Sequence, residues 1–344
     1  MIVTWNKAAR TLVLGLTIGV LQLGCSSSSK HSGLHIITQN GRTGFIDGKG
    51  KVVINPQFEG AFDFTEGLAT VWIGQKSGYI NTKGEFVINP QFDFAAPFSE
   101  GLAAVGIEKK MGFIDKDGKQ VITPQFDNVS FFKEALAAVS IGQKVGFIDK
   151  TGKYVINPQF DSALVFINGL APVQLAKKWG FIDKSGKFMI NPQFDAISFD
   201  EWAFRLGLPL DWPMAVNVGE KWGYVDRSGK YVVNPQFDYA MGFCEGSAAV
   251  KSGEKWGFIE ATGKMVTSPQ FDGIGYFSDG LAPVTISGRA GFIDKSGKIV
   301  VNPQFDYAGN FEDGLARVSI KSSDESFMSG YVDSAGRYVF KPTK

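Results

Sequence analysis

The chain has 344 residues, of which 44% are hydrophobic, enough for a packed core and too many for a disordered chain. A formal net charge of +1 removes the electrostatic case for nucleic acid or an anionic membrane surface. Two cysteines exclude a disulfide framework, and 42 glycines without proline enrichment point to many tight turns.

At the N-terminus, Lys7 and Arg10 precede an apolar run from Leu12 to Leu21 that is too short to span a bilayer as a helix. A basic start, a short apolar core and small residues after it read as an export signal. The run ends Leu21-Gln22-Leu23-Gly24-Cys25, followed by four serines. This stretch resembles the lipobox of bacterial lipoproteins, with Gln22 where that pattern prefers Leu. The resemblance implies a signal peptide over 1–24, lipidation of Cys25 and a flexible tether over 25–32. With Ser26 after the cysteine, it also implies sorting to the outer membrane. Ordinary secretion, with Cys25 removed or free, is the alternative. Cys244 reads as a small buried hydrophobe.

From Gly33 the chain repeats itself. A glycine before an aromatic residue recurs at Gly44, Gly78, Gly112, Gly146 and Gly180, and again at Gly223, Gly257, Gly291 and Gly330. The basic period is 34 residues, with insertions in the fifth and eighth intervals. Pro-Gln-Phe follows at a fixed distance from Pro56 to Pro303, and the ninth unit keeps only the proline, Pro342. Residues 33–344 therefore form one array of nine units.

Each unit reads as a β-meander. In Gly146-Phe147-Ile148-Asp149-Lys150-Thr151-Gly152-Lys153-Tyr154-Val155-Ile156, two apolar runs flank a turn. Asp suits its first position and Gly its last, where φ is often positive. The glycines accordingly read as turn glycines. Pro158 cannot donate to a ladder, so the second strand ends or reaches a sheet edge near Asn157. Leu170-Ala171-Pro172-Val173 reads as a third strand. Consecutive apolar residues imply strands covered on both faces, so neighbouring units must supply the burial that one unit lacks. The expected fold is all-β, antiparallel meanders in tandem. They form either an open, curved, solenoid-like stack, which the intact chain ends favour, or a propeller.

Lys178-Trp179-Gly180-Phe181, Lys221-Trp222-Gly223-Tyr224 and Lys255-Trp256-Gly257-Phe258 resemble the WG (KWG) repeats of bacterial proteins, and the resemblance covers nearly all of 33–344. It implies a β-rich tandem array, often in the cell envelope, and no one activity. Only these three units carry Trp; the others have Thr43, Ser77, Met111, Val145, Ala290 or Ser329 there.

No catalytic, metal or cofactor site is expected. His31 and His35 have no partners at triad or metal-ligand spacing. Asp115, Asp149, Asp183 and Asp294 stand alone in their turns, without the clustered oxygens of a calcium loop. The aromatics, lacking a basic excess, are core or glycan-facing and not a nucleic-acid surface. The insertion in unit five brings Trp202, Phe204, Arg205, Leu208 and Trp212, which either fold back as local core or meet a partner. Residues 322–326 read as a plain polar loop. The expected protein is a non-enzymatic, lipid-anchored envelope lipoprotein whose array binds another macromolecule. The alternative is a carbohydrate-binding module using Trp179, Trp222 and Trp256, which burial of all three indoles would count against.

Overall fold

The computed structural model describes residues 32–198, 212–322 and 326–343, all in strands, turns and connecting segments, with no helix among them. The strands form nine separate antiparallel sheets, over 34–58, 60–92, 94–126, 128–160, 162–194, 196–237, 239–271, 273–305 and 307–343. The first has three strands and each of the others four, in simple sequential order. A four-stranded meander complete in itself is a propeller blade, whereas a β-solenoid runs its ladders on from repeat to repeat. Among the described residues no ladder links one sheet to the next, so the fold class is the β-propeller, with nine blades, and the solenoid-like stack gives way to that alternative.

Contacts divide the described chain into two compact units. The first holds 32–47 and Lys51–Pro192, hence nearly all of blades one to five; the second holds Gly48–Gly50 and 193–343.

Blade four shows why the repeat folds as it does. Strand Leu136–Ile141 pairs with Lys144–Asp149, which pairs with Tyr154–Phe160. The turn between the last two forms as the sequence implies. Gly152 sits at φ 86°, and its amide donates to Asp149 O at 2.9 Å. Asp149 Oδ1 accepts from the amides of Thr151 and Lys153, at 2.9 and 3.1 Å. The nine turn glycines, from Gly50 to Gly336, all have positive φ.

The marker glycines are a different case, and their reading as turn glycines is corrected. Gly146 lies inside strand Lys144–Asp149. Opposite it, the partner strand bulges: Val145 pairs with Phe160 and Phe147 with Ile156, leaving Asn157, Pro158 and Gln159 against one residue. The bulge crosses so close that a Cβ on Gly146 would lie 2.5 Å from Ile156 O and 2.7 Å from Pro158 N. The same clash recurs at all nine marker glycines. The strand continues through Pro158 to Phe160, and as the edge strand of its sheet it needs no ladder donor there.

The core lies between blades. Phe147 of blade four meets Phe166 of blade five with ring centroids 5.0 Å apart, both fully buried. Phe113 with Phe132, and in the second unit Phe258 with Phe277, repeat the pair at 4.8 and 4.6 Å. Cys244 is buried as expected, at the place that Ser99 and Ser278 hold in other blades. Ser99 Oγ donates to Phe132 O at 2.8 Å, and Cys244 Sγ lies 2.9 Å from Phe277 O. His35 is a buried strand residue.

Two acidic positions tie consecutive blades. Asp127, which follows Pro-Gln-Phe, takes Lys110 Nζ of blade three on Oδ1 and the Gly142 amide of blade four on Oδ2, each at 2.7 Å. Asp93 and Asp161 do likewise. Glu100 of blade three accepts from the amides of Glu134 and Ala135 in blade four, at 2.7 and 2.9 Å, and Lys150 Nζ lies 3.3 Å from its Oε2. Partial burial pushes the Glu100 carboxyl up, but the two amides and Lys150 outweigh it and leave it below its usual range. The hydrogen bond and charge of Lys110 and Lys144 lower Asp127 and Asp161.

The bulge makes Gly146→Ala an overpacking change against backbone, expected to cost about 3 kcal/mol. Gly142→Ala, at φ 62° with nothing within 4 Å of its Cβ, is expected to cost only about 1 kcal/mol of strain. Urea unfolding of both variants checks the contrast. Because the lowered carboxyls bind protons less readily folded than unfolded, their contribution is complete above the ordinary carboxylate range and is lost as pH falls through their lowered values. The urea midpoint should therefore hold from pH 7 to about 5 and drop below about pH 4; a midpoint unchanged at pH 3 would contradict this.

Candidate functional site

The strand positions around the marker glycine form a row of three residues in each four-stranded blade. One precedes the glycine, one lies opposite it on the neighbouring strand, and one opens the short first strand. In blade four the row is Asn128, Ser140 and Val145; in blade eight it is Gly273, Thr285 and Ala290. Blade two places its one large side chain differently: Trp72 sits opposite Ser77, and a Cβ on Gly60 would lie 2.2 Å from its ring. No row of blades two to six holds more than two large residues: blade three has Phe94 and Met111, and blade five has Gln174 and Trp179.

Blade seven breaks this rule. Its row is Tyr239, Lys251 and Trp256, all large. Trp222 of blade six adjoins it. The Trp222 and Tyr239 rings are 5.1 Å apart at 47°, and Tyr239 and Trp256 are 5.8 Å apart at 70°. Lys251 Nζ stands 5.9 Å from the Trp256 ring centroid, a cation-π arrangement. The overfilled row protrudes. Tyr239 is 40% exposed, and both tryptophans are half-buried. Flanking it, Lys221 pairs with Asp238 at 2.6 Å, and Lys255 pairs with Asp272.

The structure thus separates the three repeat tryptophans. Trp179 is 5% exposed and belongs to the core, whereas Trp222 and Trp256 share one exposed cluster. A stripe of all three is therefore not present. Trp202, Phe204, Arg205 and Leu208 lie outside the described residues, as do Cys25 and His31. Trp212, at the end of the insertion, is half-buried. Asp115, Asp149, Asp183 and Asp294 are in their turns, and among the described residues no three His, Cys, Asp or Glu side chains are placed to hold a metal ion. No helix among them is long and apolar enough to cross a membrane.

Sequence reasoning missed Tyr239 and Lys251. The signal was present in the repeat alignment, where Gly60, Asn128, Ser162, Ala196 and Gly273 occupy the place of Tyr239 and only Phe94 and Tyr307 are also aromatic.

Nine meander blades carrying variable surface residues define a repeat β-propeller, an architecture that points to a binding or scaffold role. The chain belongs to the WG-containing-repeat family, whose model matches residues 44–76, 78–110, 111–144, 146–179, 179–201, 222–256, 256–289 and 291–322. Those are eight matches, and the degenerate ninth unit is not among them. No curated protein sequence matches the chain. Among solved structures, a eukaryotic initiation factor shares the fold with TM-score 0.62 at 11% identity, over 89% of this chain and 95% of that one. Kluyveromyces lactis Hsv2p aligns with TM-score 0.41 at 11% identity, over 78% of this chain and 94% of its own. PorZ, a bacterial surface component of the type-IX secretion system of Porphyromonas gingivalis, aligns with TM-score 0.34 at 8% identity, over 95% and 53%.

The two kinds of tryptophan should respond differently to truncation. Trp179→Ala is expected to cost about 3–5 kcal/mol through a core cavity. Trp256→Ala, at the half-exposed cluster, is expected to cost roughly 1 kcal/mol. Chemical denaturation of both variants measures the difference.

Proposed function

We propose that the protein is a lipid-anchored, non-enzymatic scaffold of the cell envelope, whose blades bind another macromolecule. The observation that carries this is where the repeat varies. The frame of turn glycine, marker glycine, bulge and inter-blade carboxylate recurs with little change, and within the array the departures include the surface cluster of blades six and seven and the insertion at 200–213. A fold kept constant while particular surface positions diverge is the pattern of a binding array. Support for the address comes from the sequence: the basic start, the short apolar run, Gly24-Cys25 and the serine tether. Two acyl chains on Cys25 would give stable attachment, since each buried methylene contributes about 0.8 kcal/mol. A partner in the envelope follows from that address, with the outer membrane as the site indicated by Ser26.

A second reading, carbohydrate binding, is favoured by one observation. Trp222 and Trp256 are half-exposed and bridged by Tyr239, which is how a sugar-stacking surface is built.

Cell fractionation and pull-down test the first reading together. Wild-type protein is expected in the membrane fraction and Cys25→Ala in the soluble fraction. Envelope extracts passed over the full chain should yield a partner that is weakened when the 200–213 loop is trimmed to standard length. Equal solubility of both forms would remove the anchor, and an unchanged partner after trimming would remove the insertion from the binding surface.

A further inference from the structure

We propose that Trp222, Tyr239, Lys251 and Trp256 form a binding site for an acidic oligosaccharide. This rests on the carbohydrate reading above and narrows it to one site and one sugar class.

The first ground is excess. Elsewhere a row holds at most two large side chains, as with Phe94 and Met111 in blade three or Gln174 and Trp179 in blade five, and in blade eight none. Blade seven holds three, and the surplus stands in solvent with Tyr239 40% exposed. Part of the Tyr239 ring therefore remains open to a ligand.

The second ground is the chemistry of the surface. Aromatic faces offer an apolar platform with a negative quadrupole, which suits the C–H faces of pyranose rings. Three rings in succession, with centroids 5.1 and 5.8 Å apart, offer stacking positions on the scale of a sugar ring. Their mutual tilts of 47° and 70° make the surface stepped, which fits a short, twisted oligosaccharide better than a flat polymer face.

The third ground is charge. Lys221 and Lys255 beside the cluster are each paired with a carboxylate. Lys251 makes no direct ion-pair contact among the described residues; its charge acts on the Asp238 carboxylate from a distance, and its ammonium group is held over Trp256. That position repels a cationic ligand and places one positive charge beside the aromatic faces. A carboxylate on a stacked sugar, as in a uronic or sialic acid, would complete the pair and accept charge-assisted hydrogen bonds.

The test is an array of immobilised oligosaccharides, some neutral and some containing uronate or sialic acid, probed with the full chain and its variants. Wild type should be retained on acidic members. Tyr239→Ala should lower retention at least tenfold, Lys251→Gln should erase the preference for acidic over neutral sugars, and Trp72→Phe should change nothing. Unaltered thermal melts would confirm that each variant is folded. If no sugar retains the wild type, the carbohydrate reading falls with this site. If acidic sugars are retained equally by Tyr239→Ala and Lys251→Gln, the carbohydrate reading stands and this site is wrong. Preference for neutral members overturns the acidic assignment.

Discussion

Everything in this structure depends on one close approach, the crossing of a bulged edge strand over a glycine that has no Cβ. At Gly146 the crossing leaves 2.5 Å between a virtual Cβ and Ile156 O, so no other residue fits without moving backbone. The bulge in turn lets Pro158 sit in a strand, because an edge strand has no ladder bond to lose at that point. It also delivers the following phenylalanine, Phe160, back into register opposite Val145. Glycine, proline and phenylalanine therefore recur together for a single steric reason, and the proline helps keep the exposed edge from pairing with another chain.

Once each blade is shaped, its neighbours hold it by contacts that cross from blade to blade. Aromatic pairs such as Phe147 and Phe166 supply the burial, and carboxylates supply the alignment. The Glu100 arrangement shows how specific the alignment is. Lysine occupies the turn at Lys116, Lys150, Lys184 and Lys295, and in each case a glutamate of the preceding blade, Glu66, Glu100, Glu134 or Glu245, receives it. Where the acid is the shorter Asp279, the corresponding turn of blade nine has Ser334 and not lysine. Exposed ion pairs contribute little singly, but these carboxylates also accept backbone amides of the next blade, and that fixes position as well as charge.

Against so regular a frame, departures stand out. Trp179 shows that a tryptophan before the marker glycine can be ordinary core, while Trp222 and Trp256, in the equivalent place, are half-buried and share a cluster with Tyr239. Residue identity at one position does not decide exposure. The repeat therefore tunes its surface without touching its fold.

The sequence by itself determined the period, the nine units, the turn glycines and the all-β class, because turns and alternating runs are local and recur in register with the chain. It also showed that one unit could not bury its own core. Three things were decided only in three dimensions. The marker glycines are bounded by a strand twelve residues away, not by their own turn. The choice of separate blades over a continuous stack rests on which backbone groups pair, which composition does not encode. The acid–lysine ties link residues fifty positions apart, as in Glu100 and Lys150, and the Trp222–Tyr239–Trp256 cluster joins two blades. Each is a distance across packed elements, and such distances exist only after the chain has folded.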